Sequence, residues 1–254
     1  MALKLRGIHL GSGFPKLPTF SVIGSAMSSI PYSAGLEGSY FLGALNQVPT
    51  YNFTNSGVDL ISHGSPTFSM QSAAMSNGTG YFDTQLLSSD TLTFIILSKT
   101  QSTSNQSAPI SNYFKNGSAV GGDTIQQRNQ PSNYCYAQNT DSTVSTASVN
   151  ADVGLGVFGV SGMIVSAAPA VGAFWLKTDG TVSQSGAVAM TTRAKNGRSL
   201  LLGSSYSATE MLGVSDVAAV LIFNTDIGVG NLTTLMRWMR NTVGVAAGIW
   251  TTTV

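Results

Sequence analysis

The chain has 254 residues, of which 9% are charged, for a formal net charge of +1; an average soluble domain carries roughly 25%. So little charge excludes a nucleic-acid-binding surface, which needs a strong positive field, and the single cysteine, Cys135, excludes an internal disulfide scaffold. An apolar fraction of 43% excludes a disordered chain. Ser, Thr, Asn and Gln supply about a third of the residues. Such short polar side chains lose little entropy on ordering and favour strands and turns over helices. A surface poor in charge is also weakly defended against association, so a subunit of an assembly is expected.

Taken in chain order, residues 1–30 are punctuated by Gly and Pro and read as an N-terminal attachment arm. Phe14, Leu17 and Phe20 are its docking side chains. Such an arm plugs into a neighbouring subunit, or lies as a strand or tail on its own domain. Lys4 and Arg6 imitate the start of a signal peptide, but Gly and Pro interrupt the residues after them, so no signal or transit segment is expected. Residues 31–254 form the second unit. Here short apolar runs alternate with turn clusters at the spacing of a sandwich or barrel. Strands are expected at 39–42, 67–70, 80–83, 91–98, 133–137, 157–165, 173–177, 199–202 and 217–223. The polar stretches 98–112 and 117–130 read as long loops, where binding usually sits. Residues 153–176 carry no charge and are long enough to span a bilayer. Gly, Ser and Pro spread through them, however, so two neighbouring buried strands are expected and no membrane insertion. Lys177-Thr-Asp-Gly-Thr181 reads as a tight hairpin, with Asp179-Gly180 at the φ > 0 positions. One helix is expected at about 230–242, with Leu232, Leu235, Met236 and Met239 on a core-facing stripe and Asn231 or Asp226 capping its start.

Several segments resemble one family. Asn77-Gly-Thr-Gly-Tyr-Phe-Asp-Thr84 and Thr91-Leu-Thr-Phe-Ile-Ile-Leu-Ser-Lys99 resemble the early strands of concanavalin A-like or laminin G-like jelly rolls. Gly156-Val-Phe-Gly-Val-Ser-Gly-Met-Ile-Val165 and Ala173-Phe-Trp-Leu-Lys-Thr-Asp-Gly-Thr-Val182 resemble a later pair with the family's x-Asp-Gly hairpin. Leu200-Leu-Leu-Gly-Ser-Ser205 resembles its leucine–glycine strand, and Met211-Leu-Gly-Val-Ser-Asp-Val-Ala-Ala-Val-Leu-Ile-Phe-Asn224 its closing strand before a short helix. The resemblance covers roughly residues 34–245. It implies an all-β, concanavalin A-like jelly-roll β-sandwich with one short C-terminal helix and an extended N-terminal arm. It also implies glycan or surface binding, as in many members, or pure scaffolding, as in others. With the low charge and the arm, the chain looks like a bacteriophage virion module of tail, fibre, collar or decoration type. The expectation is a non-enzymatic structural protein of the particle, tail- or fibre-associated. It would join other virion proteins through the arm, form a homo-oligomer (a trimer first) and take a host-surface glycan as ligand. The alternative is a collar, baseplate or capsid-decoration subunit without a glycan; a carbohydrate-active enzyme comes third.

Residues for catalysis are scarce. A glycoside hydrolase needs two carboxylates facing one sugar, and the only glutamates, Glu37 and Glu210, lie far apart in the sequence. His9 falls in the arm and His63 in a turn-like stretch, so no triad is expected, and Cys135 with two distant histidines makes no zinc site. Calcium would draw on Asp59, Asp83 and Asp90, but the Asp-x-Asp-x-Asp pattern is absent and no metal or cofactor is assigned. Sugar binding needs an aromatic platform and planar polar groups. Asp123, Arg128, Asn129, Asn133, Tyr134 and Tyr136 offer these in one short span. Tyr134 and Tyr136 also alternate onto one face of a strand, which suits packing against the core or a neighbouring subunit. Arg193, Lys195 and Arg198 flank Asn196-Gly197 as a basic hairpin tip, either solvated or facing an acidic partner.

Overall fold

A computed structural model describes residues 22–54, 57–100, 105–128, 132–140 and 142–254. Phe14, Leu17, Phe20 and Asn129 lie outside the described residues. In chain order the elements are α1 (Val22–Ser28), β1 (Leu36–Phe41), β2 (Ile61–Gly64), β3 (Thr67–Phe68), β4 (Ala73–Met75), β5 (Gly80–Leu87), β6 (Leu92–Thr100), β7 (Ser107–Ser111), β8 (Phe114–Asn116), β9 (Ala119–Gly121), β10 (Thr124–Gln127), β11 (Ser132–Gln138), β12 (Val144–Asn150), β13 (Gly159–Ser166), β14 (Ala170–Leu176), β15 (Val182–Gln184), β16 (Val188–Ala189), β17 (Ser199–Leu202), β18 (Ser215–Phe223) and α2 (Gly228–Trp238), which widens into a π-helical turn over Met239–Gly244.

The strands form an all-β sandwich. One sheet runs β15-β14-β13-β6-β18-β4-β3, with β1 on β18 and β16 on β14; the other runs β12-β11-β10-β7-β17-β5-β2. A small β8–β9 hairpin stands apart. Side chains such as Phe94, Met163, Trp175 and Ile222 from the first sheet meet Phe82, Ile110, Ile125, Cys135 and Leu202 from the second in one core. The first sheet is covered on its other face too. Ile95, Leu97, Leu221 and Phe223 pack there against Ile23 and Met27 of α1 and Leu232, Leu235 and Met236 of α2. Burial on both faces explains the continuous apolar runs 94–97 in β6 and 217–223 in β18. In the second sheet β11 alternates instead, with Cys135 and Ala137 buried in the core and Tyr134 and Tyr136 half-buried on the outer face.

Each expected strand appears, and 153–176 contains the expected antiparallel pair β13–β14. The 177–181 hairpin is also present, although among its residues only Gly180 has positive φ. Other expectations change. The polar stretches 98–112 and 117–130 are not simply loops: β7 and β10 lie within them and every residue of both strands is buried. Their polar groups pair internally, Ser111 Oγ with Thr124 Oγ1 at 2.7 Å and Gln127 Nε2 donating to Ser98 Oγ at 2.9 Å. Residues 22–28, read as part of the arm, are helical, with Ile23, Ala26 and Met27 buried. His63 lies in β2, stacked on Tyr81, not in a turn. Asp226 accepts the Gly228 N–H at the start of α2, while Asn231 Nδ2 donates back to the Ile227 carbonyl.

At the start of β13 a Cβ on Gly159 would stand 1.9 Å from the ring of buried Trp175. That ring cannot swing aside without losing its Nε1 donation to Asp152 Oδ1 at 2.8 Å. Gly159→Ala is therefore expected to lower stability by about 1–3 kcal/mol through overpacking. An unchanged urea midpoint would contradict this packing.

Candidate functional site

The outer face of the second sheet carries a cleft because chain segments climb over it beside β10 and β11. After β7 the chain turns at Asn112 into Tyr113 and the β8–β9 hairpin, then returns through Gly122. Gly122 has φ +115°, and a Cβ there would lie 2.6 Å from both the Asn112 carbonyl oxygen and Tyr113 Cα, so this crossing requires glycine. Asn112 fastens it. Its Oδ1 accepts the Asp123 N–H at 2.6 Å, and its Nδ2 donates to Ser88 Oγ and the Arg198 carbonyl. Arg193 completes the anchor with a bidentate pair to Asp123 at 2.7 and 2.8 Å and further donation to the Ser89 carbonyl.

Tyr113 projects from this crossing and donates its hydroxyl to Glu210 Oε2 at 2.6 Å. Lys115 on β8 pairs with Glu210 Oε1. The ammonium, with the tyrosine hydroxyl, holds the Glu210 carboxyl below its ordinary range. Burial and the neighbouring carboxylate push the Tyr113 hydroxyl upward, so it remains a protonated donor at neutral pH. Next to Glu210, buried Met211 sits at φ +59°, a sparsely populated conformation for a residue with a Cβ.

The floor is a polar network on β10 and β11. Gln126 Nε2 donates to Gln106 Oε1 at 2.6 Å, and Gln126 Oε1 accepts from Tyr136 Oη at 2.9 Å and Arg128 Nε at 2.8 Å. Arg128 Nη2 donates to Tyr136 Oη at 3.1 Å, and its guanidinium stacks 3.7 Å above the Tyr134 ring. Tyr113 and Tyr136 lie 6.2 Å apart, tilted by 49°. Together these walls enclose about 460 Å³, within the usual range for small-ligand sites.

Arg128, Tyr134 and Tyr136 are thus brought together as the sequence suggested. Tyr134 is not an open platform, because Arg128 covers one face of its ring. Asp123 is 1% exposed and committed to Arg193, so it offers no acceptor to a ligand. Asn133 alternates to the opposite face and lies buried beside Gln127 and Trp175 at a small cavity of about 30 Å³. The basic tip also resolves into partnered groups. Arg193 pairs with Asp123, its side chain 8% exposed, Lys195 pairs with Asp90, and Arg198 lies between the Phe114 and Tyr206 rings. Tyr113, Gln106, Gln126 and Glu210 were missed. Their parts of the chain read as loop or as isolated residues, and no local pattern joins residue 113 to residue 210. Of the three aspartates considered for calcium, Asp59 accepts the Asn52 N–H, Asp83 the Gln85 N–H, and Asp90 meets Lys195. Among the described residues no three His, Cys, Asp or Glu side chains gather in a metal-holding group.

No protein-family model and no curated protein sequence matches the chain. Solved structures match at the level of fold. The chain is similar to the botulinum neurotoxin serotype D binding domain, at 11% identity and TM-score 0.57, over 83% of this chain and 52% of that one. It is similar to the serotype G binding domain at 9% identity and TM-score 0.60, over 82% and 51%. The K499G mutant of NanB sialidase from Streptococcus pneumoniae matches at 14% identity and TM-score 0.51, over 68% of this chain and 27% of that one. The chain therefore spans about half of the neurotoxin domains and about a quarter of the sialidase.

Proposed function

We propose that the protein is a non-catalytic binding module that takes a surface saccharide in the cleft between β10, β11 and residues 209–212. The observation that carries this reading is the lining itself. Two tyrosine rings, the amides of Asn105, Gln106 and Gln126, a guanidinium and a carboxylate converge on one concavity. Rings stack against the apolar faces of sugars while amides and charges match hydroxyls. Their mutual hydrogen bonds hold the polar groups in place, which lowers the ordering cost of binding. One of the similar structures is described as the receptor binding domain of botulinum neurotoxin D, a setting compatible with a recognition role on this fold. Glycoside hydrolysis ordinarily requires two carboxyl groups about 5–9.5 Å apart, and Glu210 is the only acid among the described residues lining the cleft.

The setting we propose is a phage particle, at the tail or a fibre, in a homo-oligomer attached through the N-terminal segment. Composition supports it, since a surface of hydroxyls and amides packs readily against neighbouring copies. For the binding role, Tyr136→Ala is expected to weaken glycan affinity about tenfold or more while the protein stays folded, because the ring faces outward. Calorimetric titration with a glycan identified on an array, beside a thermal melt, checks this. Unchanged affinity would remove the cleft as the site. Normal particle assembly by a protein that binds no array glycan would favour a scaffolding subunit.

A further inference from the structure

We infer that the cleft selects saccharides bearing a carboxylate, held by the Arg128 guanidinium; this rests on the saccharide reading of the same cleft. Among the described residues two charged side chains line the cleft, Arg128 and Glu210. Glu210 is already matched by Lys115, with Tyr113 donating to its second oxygen. Among the described residues Arg128 has no charged partner. Its partners, Gln126, Tyr136 and the Tyr134 ring, are all neutral, and none of the ion pairs among the described residues includes it. The described lining thus carries one uncompensated positive charge on a half-buried group, where an anion is attracted more strongly than in open water.

Arg128 is also fixed in direction. Gln126 holds Nε, Tyr136 holds Nη2, and Tyr134 supports the plane from below, while Nη1 has no protein partner among the described residues. A guanidinium presented this way offers a planar fork that suits a carboxylate, and such charge-assisted hydrogen bonds are about twice as strong as neutral ones. The amides and rings around it favour a polyhydroxylated body for the remainder of the ligand. A neutral sugar would use the same walls and leave the charge unanswered.

Calorimetric titration of the full chain tests this with matched pairs: 3′-sialyllactose against lactose, and a glucuronate-ended disaccharide against its glucose-ended counterpart. A sulfated disaccharide serves as a third arm. At least one acidic member is expected to bind about tenfold or more tighter than its neutral partner, with affinity falling as salt rises. Arg128→Gln should bring the acidic-to-neutral ratio close to one. Arg128→Lys, which keeps the charge and loses the fork, should retain part of the preference and serves if the glutamine variant fails to fold. Neutral members binding as tightly as acidic ones would overturn the inference and leave the saccharide reading standing. A sulfated disaccharide binding as tightly as the best carboxylate would overturn the carboxylate assignment alone. If no glycan binds, acidic or neutral, the saccharide reading fails and this inference fails with it.

Discussion

Replacing Ile23 and Met27 together by Ala is expected to lower stability by about 4–6 kcal/mol, a large share of the 5–15 kcal/mol typical of a domain. Both side chains are at most 2% exposed. They cover Phe41, Leu221 and Phe223 on the outward face of the first sheet. Ser29, just beyond the helix, accepts the indole N–H of Trp238 on α2, so the two helices share one apolar layer. Large-to-small changes in such a layer cost about 2–5 kcal/mol each, and neighbours one turn apart are not strictly additive. Urea titration of the intact chain measures the loss. A change below about 1 kcal/mol would mean that α1 contributes little to the fold. The result also bears on attachment. A truncation meant to test the N-terminal segment in assembly should stop at residue 21, because removing 30 residues would also strip the sheet of its cover and confuse unfolding with lost attachment.

The second large effect belongs to the Arg193–Asp123 pair. Its side chains are 8% and 1% exposed, and breaking a buried pair strands a charge, at about 3–5 kcal/mol. Arg193→Met is expected to cost that much. Arg193→Met combined with Asp123→Leu should cost less than the two single losses added, because no charge is then left alone. The double variant will not recover fully, since Arg193 also donates to the Ser89 and Ala194 carbonyls. Ligand affinity should fall along with stability, because the same pair anchors the crossing from which Tyr113 projects. Equal stability of the wild type and the single variants would show that the pair is dispensable.

Both effects fall where the sequence was hard to read. The β-sandwich was readable because β6, β13 and β18 hold the apolar runs 94–97, 163–165 and 217–223, and the closing helix because Leu232, Leu235, Met236 and Met239 repeat at helical spacing. Strands β7 and β10 were hidden because Ser107, Ser111, Thr124, Gln126 and Gln127 look like loop residues until their partners across the sheets are known. Helix α1 was obscured by the Gly- and Pro-rich text before it. In the cleft, Arg128, Tyr134 and Tyr136 could be grouped from the sequence because they lie close together in it. The pairing of Asp123 with Arg193 was not legible, since its partner is 70 residues away. Glu210 was dismissed as isolated, although Tyr113 and Lys115 reach it from 97 and 95 residues back. Local pattern carries elements well; it carries poorly those contacts that depend on which distant strands become neighbours.

A saccharide held in the cleft would leave a residue-level signature. Amide chemical-shift mapping of the labelled protein during titration with an array-selected glycan tests it most directly. Shifts are expected to concentrate at Tyr113, Gln126, Arg128, Tyr136 and Met211 and to saturate together with one binding constant. Shifts confined to another surface, or none at all with any glycan, would contradict it.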